Sequence, residues 1–226
     1  MRLFIFITLL LALLFAAPVQ ADRHEQNSVQ EGLDRRAIVA VRVAGRSGFC
    51  SGALVSDNKV LTATHCVYDL VRKKYFSAAD IQVGVGENIL SDDFSWFPIR
   101  AIEADSRVAI RSEGDYLNND VISLILSEPQ SIQPLAIASP SEVVAISELH
   151  AWGFGEDEWG YFGIRKSRPL CGALVESGLI TFSSGACRGD SGGPVLNALY
   201  QVVAVISLSE VRHCVEQGRR IAQRVW

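Results

Sequence analysis

The chain is 226 residues long and sets 21 Lys and Arg against 25 Asp and Glu, for a formal net charge of −4. That balance leaves no electrostatic footprint for nucleic acid or an anionic membrane, so neither is expected as a partner. An apolar share of 49% beside 20% charged residues describes a globular chain and excludes a disordered one.

The chain opens with Met1-Arg2, an apolar run from Leu3 to Ala17, and Pro18-Val19-Gln20-Ala21, whose small residues at Val19 and Ala21 suit signal peptidase. Residues 1–21 therefore read as a secretory signal, with the product secreted to an extracellular or periplasmic space. No membrane anchor is expected after cleavage, because the run is shorter than the about 20 residues of a spanning helix. Residues 22–36 follow as an N-terminal segment, read as a short propeptide. From there, strand-like runs are expected at Ala37 to Val43, Phe49 to Val55, Val60 to Thr62, Ile81 to Val85, Phe97 to Ala104, Val121 to Leu126, Gly178 to Phe182 and Tyr200 to Ser207. They are short, rich in β-branched residues and separated by Gly, Asn, Asp and Ser, which indicates a β-sandwich or β-barrels. Only Val67 to Lys74 suggests a helical turn or two. Around residues 129–137 two prolines and the loss of periodicity mark a linker.

Five cysteines stand at 50, 66, 171, 187 and 214. In an oxidising space they should pair, and the odd count leaves at least one without an intramolecular partner. The spacing offers no zinc motif, and no metal is expected.

Three short motifs carry chemistry. LTATHCV puts His65 just after a strand and beside Cys66, NNDVISLIL puts Asp120 at the head of an apolar strand, and GDSGGP surrounds Ser191 with glycines. Taken singly, each has a plain structural reading: a packed histidine, a strand-start cap and a turn serine. Arg188-Gly189-Asp190 also spells an adhesive tripeptide, and Gly189 to Gly193 fits the G-x-S-x-G pattern of serine hydrolases. An α/β-hydrolase elbow is disfavoured, because it opens a helix that Gly192-Gly193-Pro194 cannot easily start and precedes its acid and histidine. Chemically, a serine hydroxyl needs a base such as His65 to attack an acyl carbon, and an imidazole needs an acceptor such as Asp120 to hold its tautomer. Glycines around the nucleophile let backbone amides converge on a developing oxyanion.

Together, CSGALVSDNKVLTATHC, NNDVISLIL, AWGFG, ACRGDSGGPV and VISLS resemble the trypsin and chymotrypsin family of serine endopeptidases, in that family's His, Asp, Ser order and over nearly all of the chain from Ala37. The resemblance implies an all-β fold of two antiparallel Greek-key β-barrels, residues 37–128 and 138–226, with the active-site cleft between them. It implies a secreted serine endopeptidase working through an acyl-enzyme, with His65, Asp120 and Ser191 catalytic, the amides of Gly189 and Ser191 as the oxyanion hole, and no cofactor. It pairs Cys50 with Cys66 and Cys187 with Cys214; the left-over Cys171 is expected to be a buried free thiol in preference to a bridge to another chain. Ser207 matches the serine that bonds the catalytic aspartate beside the substrate, and Asp190 the one turned inward beneath the nucleophile loop. Protein or peptide substrates and protein inhibitors are the implied partners.

The sequence also departs from that pattern. The family frees an Ile-Val-Gly-Gly N-terminus whose ammonium pairs with the aspartate before the serine, and no such tetrad occurs here. Cuts giving an end near residue 29 or 37 are the nearest substitutes, so Asp190 has no assured partner. Gly185, six before Ser191, carries no carboxylate for a Lys or Arg substrate, so trypsin-type specificity is not expected. Ser209 replaces a pocket-wall glycine. Arg219 and Arg220, near the rear of the pocket, could favour acidic side chains, but solvated surface arginines are the expected outcome. Glu87, Asn88, Asp92 and Asp93 occupy a region where relatives bind calcium, but their spacing favours an exposed turn. The rival to the enzyme reading is a catalytically impaired, protease-like binding protein.

Overall fold

A computed structural model describes residues 33–104, 120–140, 148–176, 178–209, 214 and 216–225. The expected signal sequence and residues 22–32 of the N-terminal segment lie outside the described residues. Leu33 is packed in the core, and the Asp34 carboxylate caps a 3-10 turn, Arg35–Ala37, by accepting from the Arg36 amide.

Strands β1 (Ile38–Val43), β2 (Phe49–Leu54), β3 (Lys59–Thr62), β4 (Tyr68–Asp69), β5 (Lys74–Tyr75), β6 (Ile81–Val85), β7 (Ser95–Glu103) and β8 (Ile122–Leu126) form the first half. The second half holds β9 (His150–Gly153), β10 (Lys166–Pro169), β11 (Leu174–Glu176), β12 (Leu179–Phe182), β13 (Pro194–Leu196), β14 (Val202–Ser209) and β15 (Arg220–Arg224). The first half closes into a barrel in the order β1-β2-β3-β8-β7-β6, with β4 and β5 as a separate ribbon. The second is a curled seven-stranded sheet in the order β10-β9-β13-β14-β15-β12-β11. The all-β, double-barrel architecture is thus present, its second member a half-barrel among the described residues.

The strands form where apolar side chains find two walls to cover. Val39, Val41, Leu54, Ile81, Val83, Leu124 and Leu126 are all buried in the first barrel, each worth about 1.5 to 3 kcal/mol of transfer free energy before entropy is counted. On β6 the intervening Gln82 faces outward and accepts from Arg42 at 2.9 Å, in register across the β1 ladder. Val202 to Ile206 on β14 are buried without alternation, as expected for a strand covered on both faces. Trp152, Phe154, Leu196 and Val202 of the second half share the core of the first barrel, so the two halves are packed as one body.

Two expectations change here. Val67 to Lys74 is not helical: the 3-10 turn Thr64–Cys66 leads into the β4-β5 ribbon, where Tyr68 and Tyr75 are paired and their rings meet edge to face at 5.1 Å. Cys171 makes no disulfide among the described residues and is exposed instead of buried. It sits at an isolated bridge to Ser184, its backbone satisfied at 2.9 to 3.0 Å while its thiol reaches solvent.

Candidate active site

His65 lies on the 3-10 turn that follows β3, and the Cys50–Cys66 disulfide ties that turn to β2 with a Cα separation of 6.1 Å. Asp120 stands just ahead of β8 and is wholly buried. An isolated buried carboxylate would be costly, but this one meets three donors. Oδ1 accepts from the His65 amide at 3.0 Å, and Oδ2 lies 2.7 Å from His65 Nδ1 and accepts from Ser207 Oγ at 2.5 Å. The proton is therefore assigned to Nδ1, which leaves Nε2 of a neutral ring as the basic nitrogen.

Ser191 sits on the loop before β13. Its carbonyl accepts from the Ser51 amide of β2 at 2.7 Å, and its Oγ is 3.5 Å from the Ser207 carbonyl. The glycines beyond it are demanded by close approach: a β-carbon on Gly192 would lie 2.2 Å from Thr62 Oγ1, and one on Gly193 2.1 Å from the Trp152 carbonyl. Within the loop the amides of Asp190, Gly192 and Gly193 bond to the carbonyls of Cys187, Ile206 and Asp190. The amides of Gly189 and Ser191 meet no backbone acceptor among the described residues. Gly189 reaches this geometry at φ +95°, a conformation that favours glycine.

His65 and Ser191 share one cleft of about 700 Å³, also lined by Gly189, Ser207, Ser209 and Arg220. The lining includes Ala186 but not Gly185, whose glycine has a backbone cause: a β-carbon there would lie 2.4 Å from the Pro169 carbonyl. Arg219 is exposed as expected, but Arg220 is not a solvated surface arginine, being only 1% exposed. Its Nε donates to the Ala186 carbonyl at 2.6 Å, Nη1 to the Ser183 and Gly218 carbonyls, and Nη2 to the Glu216 carbonyl at 2.9 Å. Burial pushes its pKa below the usual arginine value, against the pull of Glu216, but a guanidinium keeps its proton at neutral pH.

Asp190 is 2% exposed, which rules out the adhesive reading because a receptor could not reach its carboxylate. Oδ1 accepts from the Gly155 amide and Oδ2 from the Cys187 amide, both at 2.8 Å. Burial pushes the Asp190 carboxyl above its ordinary value, opposed by Arg168 and by those two amides. The Cys187–Cys214 disulfide anchors the same loop.

Two contributors escape a reading of the sequence. Ser51 is fully buried, donates from Oγ to the Gly189 carbonyl at 2.8 Å and accepts from the Phe154 amide at 3.0 Å. Arg168 places Nη1 3.3 Å from Asp190 Oδ2. The only hint of Ser51 is a serine inside an apolar strand, and nothing local marks Arg168. Cys50, His65 and Cys66 come within ligand distance of one another, but the cysteines are joined as a disulfide and offer no thiolate. In the candidate calcium region, Glu87 pairs with Arg35 and Arg165, and Asn88 accepts from the Leu90 amide.

Comparison with known proteins points in one direction. A family model described as Trypsin matches residues 25–226. Serine protease SP24D of Anopheles gambiae is 33% identical over 173 residues, which is 67% of this chain and 59% of that protein. A protein of Daboia siamensis named beta-fibrinogenase-like is 28% identical over 177 residues, covering 65% of this chain and 62% of its own length. Inactive serine protease PAMR1 of Bos taurus is 31% identical over 100 residues, 42% of this chain and 14% of that protein. The chain thus spans about three fifths of the length of the first two relatives.

Proposed function

The chain belongs to the trypsin family of serine proteases, and on that premise we propose that it is a secreted endopeptidase that cleaves peptide bonds through an acyl-enzyme on Ser191. The observation that carries this reading is the 2.7 Å contact of Asp120 with His65 Nδ1, on a histidine that shares its cleft with Ser191 and Gly189.

Ser191 Oγ attacks the scissile carbonyl carbon while His65 Nε2 takes its proton, a step worth about 10²- to 10⁴-fold. Asp120 holds the imidazole in the required tautomer and stabilises the imidazolium as it forms. The amides of Gly189 and Ser191 receive the oxyanion. His65 then passes its proton to the leaving amine, and the carbon–nitrogen bond breaks to leave the acyl-enzyme. Water attacks the ester with His65 again as base, releasing the acid and restoring Ser191. Ser207 Oγ is committed to Asp120, so its part in holding a peptide falls to its backbone, with Ser209 beside it on the cleft wall.

The buried cation of Arg220 in the cleft lining opposes a second cation, so lysine and arginine side chains are poor occupants. Protein or peptide substrates and protein inhibitors are the partners that fit this site. The test is digestion of a peptide library with cut sites identified by mass spectrometry. The expected result is cleavage by the wild type, with few cuts after Lys or Arg, and none by Ser191→Ala. A dominant tryptic pattern would contradict the role given to Arg220. Identical products from both proteins, or none from either, would favour the protease-like binding protein.

A further inference from the structure

The aspartate before the nucleophile raises a problem that the sequence leaves open. Asp190 is buried in the loop that carries Gly189 and Ser191, and a buried carboxylate with no cation beside it is strongly unfavourable. The N-terminal tetrad whose ammonium would serve is absent. A cut after Arg36 does not supply it. Ala37 and Ile38 are fully buried, the Ala37 amide bonds to the Asp34 carbonyl at 2.9 Å, and Ile38 is already paired with Ala53 in the wall of the first barrel.

The cation comes from the sheet itself. Arg168 lies on β10, paired with Ala151 of β9. Its Nη1 is 3.3 Å from Asp190 Oδ2, and its Nη2 donates to the Glu156 carbonyl at 2.7 Å. The guanidinium is thus held between the carboxylate and the turn after β9, and its side chain is only 19% exposed. Lys166, on the same strand, is engaged elsewhere, its Nζ 3.8 Å from Asp157 Oδ2. The glycines of AWGFG complete the arrangement: a β-carbon on Gly153 would lie 2.4 Å from Asp190 Oδ1, and one on Gly155 2.6 Å from Asp190 Cγ.

We propose that Arg168 is a built-in counter-ion for Asp190, a positioning residue that holds the Gly189 and Ser191 amides toward the cleft so that the protease is competent without an N-terminal cut. This rests on the serine-protease reading above. Arg168 acts through Asp190, whose carbonyl also accepts from Gly193 within the same loop. Because the cation is part of the strand, it arrives with folding and needs no processing enzyme.

The experiment measures the rate at which a fluorophosphonate probe labels Ser191 in the purified chain, with N-terminal sequencing showing that residues ahead of Ser28 are still attached. Labelling of this uncut chain is expected. Labelling only after an N-terminal cut would overturn the proposal while leaving the protease reading intact, and no labelling in either form would overturn both. Arg168→Gln should lower the rate about 100-fold, comparable to losing an oxyanion donor. Arg168→Lys should recover part of it, and guanidinium ion at low millimolar concentration should partly restore Arg168→Ala. Full-rate labelling by a folded Arg168→Gln protein, or a loss that neither lysine nor guanidinium relieves, would overturn the assignment.

Discussion

Replacing Ser51 by alanine removes one oxygen from the seam between the two halves and tests how the nucleophile loop is held. The backbone of Ser51 keeps its bonds, donating to the Ser191 carbonyl at 2.7 Å and accepting from Thr62 Oγ1 at 2.8 Å. Two side-chain bonds are lost, one to the Gly189 carbonyl at 2.8 Å and one from the Phe154 amide at 3.0 Å. Phe154 is fully buried, so its amide becomes an orphaned donor that water does not reach. An orphaned buried donor together with one lost ordinary bond amounts to about 2 to 3 kcal/mol. For a domain of this size that lowers the unfolding temperature by roughly 4 to 12 °C, readable by calorimetry. The freed Gly189 unit loses a restraint worth about 1 kcal/mol, so kcat/KM should fall about 5- to 10-fold, mainly in kcat. An unfolding temperature within about 1 °C of wild type would refute the reasoning, because it would mean these two bonds carry no net weight.

Other perturbations should act through different physics. Gly155→Ala forces a β-carbon to 2.6 Å from Asp190 Cγ and 2.7 Å from its backbone nitrogen. Overpacking of this kind costs about 1 to 3 kcal/mol or more, and probe labelling of Ser191 should be lost with it; a variant as stable and reactive as wild type would show that Asp190 does not need that space. Removing the Cys50–Cys66 bridge by double alanine substitution opens a link across 16 residues, at a cost of about 3 kcal/mol in a denaturant titration. Asp34→Ala removes a carboxylate that the Arg36 side chain holds below its ordinary value, together with the cap on the first 3-10 turn. The cap loss should cost about 1 kcal/mol at neutral pH. Since the folded pKa is the lower one, the carboxylate's contribution is present above the ordinary carboxylate value and disappears as pH falls through the folded value. The gap between wild type and variant should therefore narrow in acid, and a gap that widens there would contradict the pairing.

The parts of this protein that were legible in its sequence are those whose cause is local. Runs such as Ile38–Val43, Ile81–Val85 and Ile122–Leu126 are β-branched and apolar enough to form strands almost anywhere they can be covered. The positions of His65, Asp120 and Ser191 were readable because each sits in a short motif with its own geometric need. Strand β10 was not readable: Lys166-Ser167-Arg168-Pro169 has no apolar pattern and is extended because it pairs with His150–Gly153. The β4-β5 ribbon was missed for a related reason, since its chain reversal includes Lys73 at φ +51°, which composition does not signal. Ser51 and Arg168 act across 138 and 22 positions of sequence. Only folding brings them to Gly189 and Asp190. The burial of Arg220 is not legible because arginine is usually solvated, and of the four carbonyl oxygens that make it tolerable two, on Ser183 and Ala186, lie 37 and 34 positions away.

The central claim is that Ser191 is a nucleophile activated by a histidine that Asp120 holds in place. The most direct measurement is to treat the purified protein with a fluorophosphonate and locate the adduct by peptide mass spectrometry, alongside His65→Ala and Asp120→Asn. The account predicts one adduct on Ser191 in the wild type and a large loss of rate in both variants. An adduct elsewhere, none at all, or equal rates in all three proteins would contradict it.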